Sequence, residues 1–141
     1  MTEERAREQQ ASSVSLETLL KTSDIVTLHM VVSDKTRKLL NRETLALMQP
    51  GSLLVNTSRS SLIDTPALVS ALQQGRPGFA ALDVFETEPT DAARWAGVPN
   101  TVLTPHTAGA TTEAVQGMLL LLLQNLSAHF AGEPLKTPVE S

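Results

Sequence analysis

The feature that most constrains the fold is the alternation of short apolar runs with segments that begin at helix-capping residues. The runs are residues 25–28, 53–55, 79–85 and 102–103. Polar residues hardly interrupt them, which is typical of strands that are buried on both faces of a parallel sheet. Strands of this kind alternating with helices predict an α/β fold with a parallel sheet covered on both faces.

Capping residues indicate where the helices begin. Ser15 and Asn41 each precede a short stretch with helical spacing of apolar residues. Asp64 or Thr65 precedes a third helix, and Pro66 stands at its first position, where the missing N–H costs nothing. A long apolar helix is expected from about residue 111 to about residue 130, followed by glycine and proline.

The chain is predicted to consist of a flexible charged lead-in, residues 1–14, and one domain, residues 15–141. The first ten residues carry three glutamates and two arginines, which argues against a secretory signal. The strongly apolar run at residues 118–123 is too short to span a bilayer. We therefore expect a cytoplasmic protein that does not contact a membrane.

Composition excludes several classes of function. The 141 residues include no cysteine, and the three histidines, His29, His106 and His129, are far apart, so we expect no metal site. The net charge is −4, and neither a basic stripe nor a set of aromatic residues is present for base stacking. Nucleic acid is therefore not an expected partner.

Polar residues that follow the predicted strands are the candidates for chemistry. They are His29, Arg59, Asp83, Glu88 and His106. In an open parallel sheet the ligand crevice lies at the carboxyl ends of the strands, and a spacing of about 4.8 Å between strands would bring these residues within about 10 to 15 Å. Taken singly, three of them have a structural interpretation: a surface ion pair for Arg59, a solvated loop acid for Glu88, and a turn residue for His106.

Four ordered stretches favour the functional interpretation: LHMVVSDKTRKLL, VNTSRSSLIDTPALVSALQQG, AALDVFETEP and LTPHTAGATTEA. In order and spacing they closely resemble the D-isomer specific 2-hydroxyacid dehydrogenases, and the likeness extends over residues 15–139. The resemblance implies a partial Rossmann-type parallel sheet with flanking helices, corresponding to the later strands of a doubly wound sheet. It also implies NAD or NADP as cofactor, and a homodimer in the full-length form. The substrate would be a small 2-oxo or D-2-hydroxy acid, as in hydroxypyruvate or glyoxylate reductases and phosphoglycerate dehydrogenases.

The resemblance also implies roles for individual residues. Catalysis would use Arg59 to grip the substrate carboxylate, His106 to transfer the proton, and Glu88 to pair with His106. Asp83 would hold the nicotinamide carboxamide. The residues that line the cofactor would be His29, Thr57, Arg59, Asp83 and His106. These roles agree with the chemistry, because a carboxylate stabilises a protonated imidazole and a guanidinium can bind a carboxylate through two parallel hydrogen bonds.

The sequence also departs from the family. The glycine-rich G-x-G-x-x-G turn and the substrate domain are missing, and we expect a truncated chain that is inactive alone and binds NAD poorly. Ser60 stands where most members have glycine, whereas Glu88 argues against the formate dehydrogenase branch, which has glutamine there. The alternative function is a noncatalytic dimerisation module like the corepressors of the same family, with the long helix as the contact.

Overall fold

The computed structural model describes residues 3–139, which form five α-helices and four β-strands. The helices are α1 (Glu3–Glu8), α2 (Leu16–Thr22), α3 (Arg42–Leu45), α4 (Thr65–Gln73) and α5 (Thr112–Ala131). The strands are β1 (Ile25–Leu28), β2 (Leu53–Asn56), β3 (Phe79–Leu82) and β4 (Thr101–Leu103). Short 3₁₀ helices occupy Ser60–Leu62 and Ala92–Trp95.

The capping residues begin the helices as the sequence predicts. The Ser15 hydroxyl accepts a hydrogen bond from the Thr18 N–H at 3.1 Å, and Asp64 Oδ1 accepts one from the Ala67 N–H at 3.2 Å. These bonds satisfy N–H groups that have no partner within their own helix. Gly132 ends α5 with a φ of 71°, a left-handed conformation that glycine adopts without steric cost.

The sheet confirms the predicted α/β class. Its strands lie in the order β1-β2-β3-β4, and all three neighbouring pairs are parallel. Because the strand order follows the chain order, the polar segments after successive strands lie next to one another along the carboxyl-terminal edge. The sheet therefore places the candidate residues in sequence along one edge.

One face of the sheet packs against helices and forms the hydrophobic core. Leu54 in β2, Leu45 in α3 and Leu68 in α4 are fully or almost fully buried there. Side chains alternate between the two faces along a strand, so Val26, Leu54 and Ala80, which are paired in register, all point into this core. Removal of this apolar surface from water is the main favourable contribution to folding.

The opposite face, which we call the open face, carries no helix from residues 3–106, whereas the sequence predicted helices on both faces of the sheet. It consists of Ile25, Thr27, Leu53, Val55, Phe79, Ala81 and Val102. Ile25 is 63% exposed, Phe79 50% and Val102 65%. The strands carry apolar residues on both faces, a pattern typical of a sheet that is covered on both sides. The helices of residues 3–106 cover only one of these faces.

The chain divides into two compact units, Met1–His106 and Thr107–Ser141. In the first unit, part of the predicted lead-in is helix α1, with Ala6 buried. In the second, Asn125 Oδ1 accepts a hydrogen bond from the Lys136 N–H at 2.8 Å, which fixes the tail against α5. Within residues 3–139, α5 alone is long and apolar enough to cross a membrane, with a mean hydropathy of 1.2, by length and composition only.

Candidate active site

The closest contact among the candidate residues is between Glu88 and His106. Glu88 Oε2 lies 2.6 Å from His106 Nδ1, although 18 residues separate them in the sequence. Glu88 follows β3 and His106 follows β4, so the neighbouring strands bring the two loops together. Both side chains are partly exposed to solvent. An imidazole paired with a carboxylate in this way can donate and accept a proton.

Two hydrogen bonds hold the carboxylate of Glu88. His106 engages one oxygen, and the Phe85 N–H donates to the other, Oε1, at 2.8 Å. The hydrogen bond with His106 is the main reason that the pKa of Glu88 lies below its ordinary value, and the bond from Phe85 contributes next. Glu88 is therefore ionised near neutral pH and serves as the acceptor that orients the ring.

The backbone at His106 has an uncommon conformation. His106 adopts a φ of 55°, in the left-handed region, and its N–H donates to the Thr104 carbonyl at 3.0 Å. Non-glycine residues in this region are uncommon and occur often at functional sites. With Nδ1 bound to Glu88, Nε2 is the ring nitrogen that remains for a reacting group.

Asp83 lies directly after β3 and is 2% exposed. Its Oδ1 accepts a hydrogen bond from the Thr104 hydroxyl at 2.6 Å. Its charge acts on Glu88 as a small opposing effect that raises the pKa of that carboxyl, so the two acids lie within electrostatic range of each other. Two carboxylates of one loop thus have different surroundings, one buried beside a hydroxyl and one exposed beside an imidazole.

Arg59 lies in the loop after β2, where the buried residue Asn56 determines the backbone. Asn56 Nδ2 donates to the Arg59 carbonyl at 2.9 Å, and Asn56 Oδ1 accepts from the Ser58 N–H at 3.0 Å. The exposed guanidinium donates to the Ser58 carbonyl at 2.7 Å. Within residues 3–139 Arg59 forms no ion pair, which leaves its charge available to an anionic ligand.

His29 and Thr57 are exposed at the same edge, after β1 and β2. His29 Nε2 lies 2.9 Å from the Thr27 hydroxyl. The Ser58 hydroxyl donates to the Met30 carbonyl at 2.9 Å and so connects the loops after β1 and β2. We call His29, Thr57, Arg59, Asp83 and His106, together with Glu88, the rim.

The structure brings together some of the rim residues more closely than others. Glu88 and His106 are in direct contact, and Asp83 is connected to the same loop through Thr104. Arg59 and His29 occupy the same edge through contacts with their own neighbours. A cavity of about 330 Å³ lies between α4 and the loop after β3, and none of Arg59, Glu88 and His106 lines it.

Three residues that support the rim were not assigned a role from the sequence: Asn56, Phe85 and Thr104. Asn56 and Thr104 each stand at or directly after the end of a strand, within the NTSRS and TPH stretches. A polar residue at the end of an apolar strand was the available signal for both. Phe85 acts through its backbone N–H, and the identity of its side chain does not predict such a contact.

Comparison with known proteins identifies the class of domain. The family described as D-isomer specific 2-hydroxyacid dehydrogenase, NAD binding domain, matches residues 1–108. The chain belongs to this family. The described fold agrees, because a parallel sheet with flanking helices is the architecture of the Rossmann-type domains that it resembles.

Individual relatives cover most of this chain. It is 43% identical over 123 residues to a glyoxylate reductase of Thermococcus litoralis, which covers 87% of this chain and 37% of the reductase. It is 42% identical over 121 residues to a hydroxyphenylpyruvate reductase of Plectranthus scutellarioides, covering 86% of this chain and 39% of that protein. The holo form of D-mandelate dehydrogenase from Rhodotorula graminis superposes with a TM-score of 0.88 at 32% identity, over 100% of this chain and 41% of that one. The chain thus spans about two fifths of the length of these relatives.

The rim fits the nicotinamide end of the cofactor that the family name implies. A carboxamide presents an NH₂ donor, and the buried carboxylate of Asp83 is an acceptor of matching chemistry at the carboxyl end of the sheet. His29, Thr57 and Arg59 lie along the same edge. The particular roles of these residues stay predictions.

Proposed function

We propose that this chain carries the proton-transfer and nicotinamide-holding groups of an NAD(P)-dependent oxidoreductase that interconverts a 2-oxo acid and a D-2-hydroxy acid. The observation that supports it most is the 2.6 Å contact between His106 Nδ1 and Glu88 Oε2 at the carboxyl end of the sheet. A bound nicotinamide cofactor would supply or accept the hydride. The residues of this chain would bind the substrate and the carboxamide and would transfer the proton.

His106 is the proposed proton donor in the direction of reduction. Hydride addition to a carbonyl carbon leaves negative charge on the oxygen, and a protonated ring within hydrogen-bond reach can neutralise it from Nε2. Glu88 holds Nδ1 and stabilises the charged ring. In the reverse direction the neutral ring removes the hydroxyl proton. Glu88 thus orients the ring and never needs to leave its carboxylate form.

Arg59 is the proposed binding group for the substrate carboxylate. Its guanidinium, which has no carboxylate partner within residues 3–139, can donate two parallel hydrogen bonds to a carboxylate, and these fix both position and orientation. The hydrogen bond from Asn56 Nδ2 to the Arg59 carbonyl would hold the loop in place while the guanidinium binds the substrate. Asp83 would hold the carboxamide of the cofactor.

Glyoxylate and hydroxypyruvate are the substrates that we propose first. Glyoxylate reductases are among the relatives at 42 to 45% identity, and a glycerate dehydrogenase of Methylorubrum extorquens is 39% identical. Both 2-oxo acids are small and carry the carboxylate that Arg59 would bind.

The test grafts this chain into a relative so that turnover can be measured. Residues of this chain replace the matched segment of the Thermococcus litoralis glyoxylate reductase, and NADH oxidation is followed with glyoxylate and with hydroxypyruvate. We expect turnover in the graft and a loss of about a hundredfold or more in His106→Ala, the usual range for a general acid. A folded graft with no turnover contradicts the proposed function, and turnover that persists in His106→Ala contradicts the role of His106.

A second candidate is self-association through α5, in line with the noncatalytic alternative. Most of its apolar side chains are exposed, including Leu119 at 55% and Leu123 at 63%. Exposed apolar surface of this extent commonly marks a contact with another protein. Phe130→Lys in α5, compared with Ile25→Lys or Val102→Lys in the open face, distinguishes the two surfaces by sedimentation equilibrium.

A further inference from the structure

Thr104 makes three hydrogen bonds, each to a different part of the site. Its N–H donates to the Leu82 carbonyl at 3.0 Å, its hydroxyl donates to Asp83 Oδ1 at 2.6 Å, and its carbonyl accepts from the His106 N–H at 3.0 Å. Thr104 follows β4 directly, and Leu82 and Asp83 are at the end of the neighbouring strand β3. One residue therefore contacts both the proposed carboxamide-holding acid and the backbone of the proton donor.

The hydroxyl of Thr104 limits the orientation of the Asp83 carboxylate. The terminal torsion of an aspartate is broad, so burial of the side chain alone does not fix the plane of its two oxygens. A 2.6 Å hydrogen bond to a charged acceptor is a strong one and selects one orientation. The orientation matters only if Asp83 must present its acceptor atoms to a ligand in a defined direction.

The carbonyl of Thr104 relates this orientation to His106. The N–H from which it accepts belongs to His106, which has a φ of 55° and whose ring contacts Glu88. Hydride and proton reach the same carbonyl group of a substrate, at its carbon and its oxygen. The relative placement of the acid and the ring therefore controls whether both transfers can occur in one geometry.

We propose that Thr104 is a positioning residue. Its hydroxyl orients the Asp83 carboxylate to accept a hydrogen bond from a nicotinamide carboxamide, and its carbonyl holds the backbone of His106, so that the carboxylate and the ring keep a fixed relative position. This inference rests on the proposed function, because it takes Asp83 as the group that meets the cofactor. Thr104 itself is exposed on its outer side, so its hydroxyl can be removed without opening the core.

The test measures binding of nicotinamide mononucleotide to this chain by chemical-shift titration, which detects weak binding to this part of the cofactor site alone. Thr104→Val keeps the shape of the side chain and removes its donor, and Thr104→Ser restores the donor. Thr101→Val is the matched control in β4, the strand that Thr104 follows; the Thr101 hydroxyl donates to the Val98 carbonyl at 3.4 Å. Nicotinic acid mononucleotide, with a carboxylate in place of the carboxamide, serves as the comparison ligand.

We expect the unsubstituted chain to prefer the carboxamide ligand, because the carboxylate ligand would face the charge of Asp83. Thr104→Val should weaken binding of the carboxamide ligand about tenfold, in keeping with loss of a bond to a charged group, and should reduce the preference. Thr104→Ser and Thr101→Val should stay within about twofold of the unsubstituted chain.

The two ways to fail are distinguishable. Unchanged affinity and preference in Thr104→Val overturn the positioning role and leave the proposed function intact. If the unsubstituted chain does not bind the carboxamide ligand, or does not prefer it, the assignment of Asp83 to the cofactor is overturned and the inference falls with it. A loss that Thr104→Ser fails to restore also overturns the positioning role, because serine returns the hydroxyl donor that valine lacks.

Discussion

The rim and the open face belong to the same four-stranded sheet, yet they differ in whether their side chains have partners within the sheet's own unit. Polar groups of the rim have partners within residues 3–106, such as Glu88 with His106 and Asp83 with Thr104. The open face presents apolar side chains to solvent, with Val102 65% exposed. Hydrogen bonds between adjacent loops can form within a small unit, but covering an apolar sheet requires another layer of structure. The proposed chemistry therefore depends on local contacts, and stability depends on contacts that extend further.

Arg59 provides the largest expected effect and tests whether the rim is a working site. In the graft with the glyoxylate reductase, Arg59→Gln should lower kcat/KM for glyoxylate about a hundredfold, because hydrogen bonds to charged groups contribute about 1.5–3 kcal/mol each. Steady-state kinetics measure it. Arg94→Gln is the matched control, since Arg94 is also exposed and its partner, Glu86 at 3.6 Å, is outside the rim. Equal losses in both variants would show that Arg59 has no special role.

The open face is expected to make the isolated chain self-associate. Lysine at Ile25 or at Val102, at the two edges of the open face, should raise the dissociation constant about tenfold or more, because charged side chains oppose burial of an apolar surface. Sedimentation equilibrium at micromolar concentrations measures the change. Phe130→Lys places the same charge on α5, where the ring is 84% exposed. A larger effect of Phe130→Lys would assign association to α5 and contradict the role of the open face.

Asp64 tests how much local contacts contribute to the stability of α4, the helix that follows the Arg59 loop. It caps α4 through the Ala67 N–H and forms an ion pair with Lys38 at 2.9 Å. Asp64→Ala should lower the free energy of unfolding by about 1 kcal/mol, the usual contribution of a cap. Asp64→Asn keeps a capping oxygen and should retain most of that stability, since an exposed ion pair contributes about 0–1 kcal/mol. Urea unfolding distinguishes them, and equal losses would mean that the ion pair, and not the cap, is the main contribution.

The sequence predicted local features and order along the chain well. Ser15, Asn41 and Asp64 begin helices in the structure because a cap needs only its own next few residues. The parallel sheet and the sequence of residues at its carboxyl ends were also predicted, because they follow from alternating strands and helices.

The sequence could not predict features that depend on partners distant in the chain. The hydrogen bond from Thr104 to Asp83 joins residues 21 positions apart and depends on the register of β3 and β4. The left-handed backbone at His106 was equally unexpected, because no glycine marks it. The sequence predicted helices on both faces because apolar residues indicate which surfaces favour burial, but they do not indicate which element buries them.

The smallest expected effect concerns the pH at which the Glu88–His106 contact is lost. The pKa of Glu88 is lowered, chiefly by the hydrogen bond with His106, so the contact is present above the ordinary glutamate value of 4.5 and is lost as the pH falls through the lowered pKa of the folded state. The amide proton of Phe85 reports this titration in NMR spectra, because it donates to the same carboxylate. His106→Gln should move the midpoint back toward the ordinary value, while His29→Gln at the same edge should leave it unchanged. A midpoint that does not respond to His106→Gln would mean that the 2.6 Å contact does not persist in solution, and the rim would then lack the hydrogen bond on which the proposed proton transfer depends.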